Sequence, residues 1–153
     1  MVNNFQREGS VSNAHVGREF ELEAQNYFKH KRSVELRRPY RVPVGLSATD
    51  RKDREFDLGS SEPPILVECK SHTWTKSGNV PSAKITVWNE AMFFFSLAPE
   101  KYSKVLFVLR HFNDKRGETL AEYYVRNHGH LIPDGVEVLE YDGEEVNQVW
   151  PRQ

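Results

Sequence analysis

An aspartate, Asp57, and a Glu68-Cys69-Lys70 triplet are separated by only ten residues. The triplet closes a short apolar run, residues 64–67, which is typical of a β-strand. Successive strand side chains point to opposite faces, so Glu68 and Lys70 are predicted to project from one face and Cys69 from the other. Two carboxylates and one amine at a sheet edge suit Mg²⁺ and an activated water, whereas zinc prefers nitrogen and sulfur ligands.

A β-hairpin would bring these residues together. The segment 54–58 is predicted to pair with the apolar run as the other arm of the hairpin. The residues between the arms, 59–64, are rich in Gly, Ser and Pro, which is typical of a turn. In such a hairpin Asp57 lies close to both Glu68 and Lys70. We therefore expect the three charged side chains to meet at one edge of a sheet.

The triplet also has a simpler explanation, because the chain contains 21 Lys and Arg residues and 22 Asp and Glu residues. Glu68 and Lys70 would then form a salt bridge at a sheet edge, on the same face or across strands. A second acid-x-Lys triplet, residues 50–52, has no apolar strand before it and is interpreted as a solvated loop. The apolar strand, the turn and the earlier Asp57 favour a reactive site at Glu68 and Lys70.

Asp57, Glu68 and Lys70 resemble the signature of the PD-(D/E)XK nuclease superfamily, whose fold is shared by many restriction endonucleases, archaeal Holliday-junction resolvases and repair nucleases. In that family an acidic residue on one strand is followed by acid-x-Lys on the next. A glutamate on the first helix often precedes them, and Glu21 matches that position. The resemblance covers residues 17–110 and is closest to the small stand-alone branch. Phe rather than Pro precedes the aspartate, at a position that varies widely.

This resemblance implies a fold, a reaction and a set of roles. The fold is a restriction-endonuclease-like α/β core, with a mixed central β-sheet flanked by helices. The reaction is Mg²⁺-dependent hydrolysis of phosphodiester bonds in DNA, during restriction, recombination or repair, with Mn²⁺ as a substitute. Asp57, Glu68 and the Cys69 carbonyl would bind the metal, and Lys70 would orient a water or stabilise developing charge. Glu21 would hold a second metal or position the first through water; otherwise it is a residue at the margin of an apolar helix face.

Two other functions stay open. One is a non-catalytic nucleic-acid-binding or regulatory module that retains the nuclease fold, which the net charge of −1 and the lack of a separate DNA-reading domain favour. The other is a hydrolase that acts on RNA. If duplex DNA is the substrate, cleavage of both strands needs two active sites or two successive binding events at one site, which favours a homodimer.

A basic stretch precedes the predicted site. From Lys29 to Arg54 there are nine Lys and Arg residues and three acidic residues, whereas residues 133–153 hold six acidic residues and one Arg. The basic stretch either follows DNA phosphates, with salt-dependent affinity, or is a solvated loop and strand edge. The predicted contacts to double-stranded DNA are Lys31, Arg32, Arg37, Arg38, Arg41, Arg54, His72, Trp74 and Lys76, with Trp74 stacking on bases and the others reaching phosphates.

Composition indicates a globular protein. A chain of 153 residues with 38% hydrophobic and 12% aromatic residues can bury a core without covalent cross-links. Cys69 is the only cysteine, which excludes a disulfide or a cysteine-based zinc site within the chain. No secretory leader and no apolar run of membrane length is found, which predicts a cytoplasmic protein. Residues 1–14 are predicted to be a flexible N-terminus, and residues 15–153 a single nuclease-like domain.

The predicted elements follow the order α-β-β-β-α-β-α-β around a mixed sheet. Residues 105–109 are wholly apolar, which predicts a central strand with parallel neighbours. The helix 82–97, capped by Ser82, has a broad apolar stripe that is buried against the sheet or shared with the second subunit of a homodimer. The other predicted elements are helices at 16–31 and 118–127, one β-type run made of residues 34–36 and 40–44 and interrupted by Pro39, and strands at 54–58, 64–70 and 136–141.

Overall fold

The computed structural model describes residues 13–152, which form an α/β fold with a mixed five-stranded sheet between helices. In chain order the elements of these residues are α1 (Asn13–Lys31), β1 (Tyr40–Val44), β2 (Lys52–Phe56), β3 (Leu58–Ser61), β4 (Pro64–Lys70), α2 (Ser82–Leu97), β5 (Ser103–Leu109), β6 (Phe112–Asn113), β7 (Glu118–Thr119), α3 (Leu120–His128), β8 (Val136–Tyr141) and β9 (Val146–Trp150). A short 3-10 helix follows α3. Within residues 13–152 no helix is long and apolar enough to cross a membrane.

The central sheet has the strand order β3-β4-β5-β8-β9. Strands β4, β5 and β8 are parallel to one another, and the two edge strands β3 and β9 are antiparallel to their neighbours. β5 is the central strand, and every residue from Lys104 to Leu109 is buried, since helices cover both faces. The predicted central strand with parallel neighbours is therefore confirmed. A hairpin of β1 and β2 forms a separate sheet.

One face of the sheet is covered by α1. Phe20, Ala24 and Phe28 repeat every four residues and therefore lie on one side of this helix, where all three are buried. They pack with strand residues that include Val67 and Phe107. The ring centroids of Phe20 and Phe107 are 5.4 Å apart. Because α1 is fixed against β4 and β5, its side chains stand in a defined position beside the end of β4.

The other face is covered by α2, α3 and the β1–β2 hairpin. Trp88 and Phe95 of α2 are fully buried and share a core with Leu66 of β4 and Leu106 of β5. The hairpin contributes Phe56, whose ring stacks on that of Phe95 at 5.8 Å with an interplanar angle of 5°. This contact attaches β2, and the residue that follows it, to α2 and the sheet.

The apolar stripe of α2 is thus explained within the chain. The core of the same chain buries four residues of this stripe, namely Ile85, Trp88, Met92 and Phe95, while the Phe93 side chain is 54% exposed. The breadth of the stripe therefore follows from packing on the sheet, and a homodimer that uses this helix stays a prediction. The helix has the predicted bounds. Its N-cap, however, is Pro81 rather than Ser82, and no side chain caps it.

Two predictions for the N-terminal part of the chain differ from the structure. Helix α1 begins at Asn13, so the last two residues of the predicted flexible terminus are helical, and residues 1–12 lie outside the described part of the chain. Residues 34–36 are not a strand, although Val34 and Leu36 are buried beneath α1. The Leu36 carbonyl accepts a hydrogen bond from the Gln25 side chain at 2.7 Å instead of a strand partner.

The last strand was not predicted. β9 pairs antiparallel with β8 and forms an edge of the sheet, so β8 is an inner strand rather than the closing one. Its polar sequence, Val-Asn-Gln-Val-Trp, has half-exposed and exposed side chains, as suits an edge strand. The hydrophobic pattern used for the inner strands therefore does not detect it.

Candidate active site

Asp57 lies at the junction of β2 and β3. The predicted hairpin is corrected here, because the arm that pairs with β4 is Leu58–Ser61 rather than 54–58. Leu58 stands opposite Val67, and β2 pairs with β1 instead. The Asp57 Oδ2 accepts a hydrogen bond from the Cys69 backbone N–H at 2.8 Å. The aspartate is therefore fixed beside the Glu68–Lys70 segment, as the sequence predicted, although the pairing that brings it there is different.

Glu68 and Lys70 project from the same face of β4. The Lys70 Nζ lies 4.0 Å from Glu68 Oε2, and the Arg54 Nη2 lies 3.7 Å from Glu68 Oε1. Glu68 is only 4% exposed, whereas 18% of the Lys70 side chain remains accessible. The glutamate is thus a buried carboxylate between two cations, and the lysine lies nearer the solvent.

The electrostatics of Glu68 are dominated by its burial and by Asp57. The pKa of Glu68 is raised well above its ordinary value, first by burial, then by the negative charge of Asp57 and a hydrogen bond with that carboxyl. The positive charges of Lys70 and Arg54 act in the opposite direction and do not cancel this increase. Two adjacent carboxyl groups in a poorly solvated place disfavour simultaneous ionisation. A divalent cation bound between the two carboxyl groups would offset the free energy that is needed to ionise both.

Glu21 of α1 belongs to the same electrostatic group. Its pKa is raised, first by burial and then by the charge of Asp57, while Arg38, Arg18 and Lys70 lower it by smaller amounts. The Glu21 Oε1 lies 3.8 Å from the Arg38 Nε. The first helix therefore brings a third carboxylate to the neighbourhood of Asp57, with an arginine beside it.

The donor chemistry fits Mg²⁺, although within residues 13–152 no three His, Cys, Asp or Glu side chains are arranged to hold a metal ion as they stand. Mg²⁺ is usually held by one or two carboxylates and keeps several waters, so the paired carboxylates of Asp57 and Glu68 are a sufficient protein contribution. The geometry supports this fit, because the hydrogen bond from the Cys69 backbone N–H fixes the Asp57 carboxylate beside Glu68. Burial and the charge of Asp57 raise the pKa of Glu68, and a divalent cation would favour ionisation of both carboxyl groups.

Cys69 lies on the opposite face of β4, as predicted. Its side chain packs against the core beneath α1, and burial raises the pKa of its thiol well above the ordinary value, with the charges of Asp57, Glu21 and Glu68 adding to the increase. The thiol is therefore neutral at physiological pH and is not a nucleophile. Its backbone carbonyl as a metal ligand stays a prediction.

Arg54 is held more firmly than a surface arginine. Its guanidinium lies 3.6 Å from the centroid of the Phe94 ring of α2 and 5.5 Å from that of Phe56. The Nε atom is buried and has no hydrogen-bond partner among the described residues. Arg54 was predicted to contact DNA phosphates, and the structure gives it Glu68 as a partner. Its position two residues before Phe56 on β2, facing the same side, is the sequence signal for this placement.

Three other arginines of the basic stretch have acidic partners. Arg32 pairs with Glu137 at 3.1 Å, near the start of β8, Arg38 pairs with Glu21, and Arg41 pairs with Glu55 across the β1–β2 hairpin at 3.1 Å. These pairs reduce the positive charge that the sequence suggested for this region. Lys31 and Arg37 are exposed, and Lys31 ends α1.

The loop after β4 holds the remaining predicted contacts. His72 Nδ1 accepts a hydrogen bond from the Trp88 Nε1 at 2.9 Å, while Lys76 is exposed. Trp74 is only 4% exposed; its backbone N–H donates to His111 Nδ1 and its Nε1 to the His111 carbonyl, both at 3.0 Å. The prediction that Trp74 stacks on bases is therefore corrected, because its ring is part of the core.

The Trp74–His111 contact makes stability depend on pH. Burial lowers the pKa of His111, so the folded protein binds a proton at this imidazole less tightly than the unfolded chain. Stability is therefore expected to fall as the pH falls from the ordinary range of a histidine through the lower pKa of the folded imidazole. In His111→Asn an amide oxygen can accept the Trp74 N–H without titrating. Urea denaturation at about pH 7 and about pH 5 should show a smaller loss of stability for this variant, and equal losses would contradict the expectation.

Comparison with known protein families, with curated proteins and with solved structures gives no match to this chain, so the geometry of the site and the resemblance of its residues are the basis for assigning a function.

Proposed function

We propose that the protein is a metal-dependent endonuclease that hydrolyses phosphodiester bonds in DNA, with Asp57, Glu68 and Lys70 as its active site. The observation that carries the proposal is the convergence of these three side chains, from the β2–β3 junction and the end of β4, beside a half-buried Glu21. A carboxylate pair of one buried and one half-buried residue, Glu68 and Asp57, next to an accessible amine is an arrangement suited to binding a metal and a phosphate together.

The proposal includes a restriction-endonuclease-like fold. Supporting features are the order of elements from α1 through the strands to α2 and β5, the mixed sheet, and the position of the acid-x-Lys segment at the end of β4. The first helix lies on the face opposite α2, and its glutamate reaches the same edge of the sheet. The mixed sheet, the acid-x-Lys strand and the glutamate of the first helix are what the resemblance to the PD-(D/E)XK superfamily implies.

The residues of the site have separable roles. Asp57 and Glu68 would hold Mg²⁺, which when bound polarises a phosphate and lowers the pKa of a bound water. Lys70 presents a positive charge on the solvent side of Glu68, where it orients a water or stabilises the charge that develops on the phosphate. Glu21 would hold a second metal or position the first through a water, and Arg38 pairs with it at 3.8 Å.

A non-catalytic module is the second candidate, and one observation favours it. Arg54 and Lys70 both lie within 4.0 Å of Glu68, so the buried carboxylate already has two cations of the protein as partners. An arrangement of this kind can be purely structural, since a buried glutamate without partners would be costly. The site would then be a salt-bridge network that fastens β2 to β4.

Cleavage of supercoiled plasmid separates the two candidates. Wild-type protein with MgCl₂ is expected to convert the plasmid to the nicked form, and EDTA is expected to stop the reaction, because the carboxylate pair needs the cation to act. Parallel incubations with single-stranded DNA and with RNA identify the preferred substrate. Absence of cleavage of all three substrates by protein with a normal circular dichroism spectrum would support the module.

A further inference from the structure

A groove opens beside the loop that follows β4. It lies between residues 74–78 and residues 111–115, the latter including the turn that joins β6 to β7, and has a volume of about 320 Å³. We call it the loop groove. It begins four residues after Lys70 and is built from the segments that leave the C-terminal ends of the parallel strands β4 and β5. It therefore lies at the C-terminal end of the parallel strands, which is the end of the sheet that carries the proposed active site.

The walls of the loop groove are fixed by hydrogen bonds between its two segments. Asn113 is buried; its Nδ2 donates to the Gly78 carbonyl at 3.1 Å, and its Oδ1 accepts from the backbone N–H groups of Lys115 and Arg116. The Arg116 Nε donates to the same Gly78 carbonyl at 3.2 Å. Gly78 has a φ of +81°, a conformation that glycine adopts at little cost. The loops are thus held in one arrangement before any ligand arrives.

The loop groove is basic. Lys76, Lys115 and Arg116 are exposed around it, and Asp114 is the one acidic residue among the described residues that line it. Within residues 13–152, no ion pair joins Lys76 or Lys115 to an acid. The Arg116 guanidinium lies 5.0 Å from the centroid of the Trp74 ring, which restricts its orientation.

The loop groove also offers a neutral donor at its base. His111 Nδ1 accepts the Trp74 backbone N–H, so in the neutral imidazole the proton resides on Nε2. Burial lowers the pKa of this imidazole, which keeps it neutral at physiological pH. The Thr75 and Ser77 hydroxyl groups stand on the opposite wall. They are hydrogen-bonded to each other at 3.2 Å and both accept from Asn79, which leaves one of the two hydroxyl hydrogens for a ligand. Ammonium, N–H and hydroxyl donors around one concave surface suit phosphate oxygens.

The basic stretch predicted from the sequence is less suited to this role. Five of its nine basic residues form ion pairs within the chain, at Lys29, Arg32, Arg38, Arg41 and Arg54. Releasing such a pair to contact a phosphate would cost the interaction with the carboxylate. Among the described residues no carboxylate pairs with Lys76 or Lys115, so these lysines lose no ion pair when they contact a phosphate. They are therefore better suited to phosphate contacts than the paired residues of the basic stretch.

We propose that the loop groove binds backbone phosphates of duplex DNA next to the bond that is cleaved, with Lys76 and Lys115 as the principal charged contacts and Arg116 in support. This inference rests on the proposed function, because it takes nucleic acid as the substrate. It assigns the positioning of the DNA to the two loops at the end of β4 and β5 rather than to residues 29–54.

The test measures binding rather than cleavage. Anisotropy titrations of a short fluorescein-labelled DNA duplex, without divalent metal and over a series of salt concentrations, give the affinity and its salt dependence. The double variant Lys76→Gln/Lys115→Gln is expected to bind the duplex more weakly. The slope of log K against log salt is negative, and its magnitude should decrease by about 0.9 for each phosphate contact that is lost. The charge-matched control, Lys84→Gln with Lys101→Gln, removes two exposed lysines outside both the loop groove and the basic stretch, and it should keep the wild-type slope.

The outcomes distinguish this inference from the proposed function. Loss of affinity in the loop-groove variant supports the inference even if the wild-type protein cleaves no substrate. Cleavage by the wild type, together with an unchanged slope in the loop-groove variant or an equal loss in the control, overturns the inference and leaves the active site in place. Failure of the wild type to bind the duplex, or displacement of the duplex by a polyglutamate peptide at equal concentration, overturns it as well, because an acidic protein partner would then fit better.

Discussion

The variant Lys70→Met is expected to lose Mg²⁺-dependent nicking of plasmid, with the rate reduced by about 10²- to 10⁴-fold. Methionine keeps the length and apolar character of the lysine stem, so the packing at the end of β4 should survive. What disappears is the ammonium group, 4.0 Å from Glu68 Oε2 and accessible to a substrate. Single-turnover rates with protein in excess over plasmid measure the effect without interference from product release.

Two controls make this result specific. Lys70→Arg keeps the charge but replaces a compact ammonium by a planar guanidinium, so an intermediate rate is expected. Lys101→Met removes an exposed lysine ahead of the opposite end of β5 and should leave the rate unchanged. If Lys70→Met nicks plasmid as fast as the wild type, Lys70 has no part in the reaction. The salt bridge with Glu68 is then the sufficient explanation of its position.

The parts of the fold that were predictable are those buried on both sides. β5 is apolar throughout and lies at the centre of the sheet, because a strand covered by helices on both faces can have no polar face. The bounds of α2 followed from an apolar helical pattern that ends at a proline. The two faces of β4 also followed from alternation along the strand, which separates Glu68 and Lys70 from Cys69.

Strand pairing was harder to predict, because the local pattern does not identify the partner. Gly59 and the two serines after it were interpreted as a turn, yet they belong to β3 and pair with β4. Packing explains the glycine at position 59, because a side chain there would collide with the ring of Tyr40. A glycine required by a close approach and a glycine required by a turn look the same in the sequence.

The partners of the charged residues could not be predicted for a related reason. Arg32 and Glu137 are 105 residues apart, and nothing in either neighbourhood indicates the other. A count of charges along the chain therefore overestimated how basic the stretch before the site is once folded. The loop groove was partly missed for the converse reason, since Lys76 and Lys115 come from separate loops that only the sheet brings together.

Replacing Glu68 by glutamine is expected to raise the thermal stability of the metal-free protein and to remove its response to Mg²⁺. The pKa of Glu68 is raised well above its ordinary value in the folded state, so the folded protein binds this proton more tightly than the unfolded chain does. Stability is therefore lost as the pH rises from the ordinary range of a carboxyl group through the folded pKa. At neutral pH the Glu68 carboxyl group therefore lowers stability, and Glu68→Gln removes that loss. The difference between the two proteins should vanish in acid, where Glu68 is protonated in both states.

Binding of Mg²⁺ is expected to change the melting temperature more than the Glu68→Gln substitution does in metal-free protein. A ligand that binds only the folded state adds about 2.7 kcal/mol at one hundred times its dissociation constant. For a chain of this size that corresponds to a rise in melting temperature of roughly 5–10 °C. Wild-type protein is expected to show such a rise with MgCl₂ or MnCl₂, and Glu68→Gln to show little of it, because half of the carboxylate pair has gone. Differential scanning fluorimetry of metal-depleted protein measures both quantities.

Glu140→Gln is the matched control for this experiment. Glu140 is also a buried carboxylate with a raised pKa, caused first by burial, and it has an arginine partner in Arg110. It lies on β8, two strands away from β4, and accepts a hydrogen bond from Thr119. The charges of Glu122 and Asp142 raise its pKa less than burial does, and the Thr119 hydrogen bond and Arg110 lower it. Its variant should therefore keep the full rise in melting temperature with Mg²⁺. If the wild type shows no rise, and Glu68→Gln melts below it without metal, Glu68 acts only as the partner of Arg54 and Lys70. The carboxylate pair is then a structural salt-bridge network rather than a metal site.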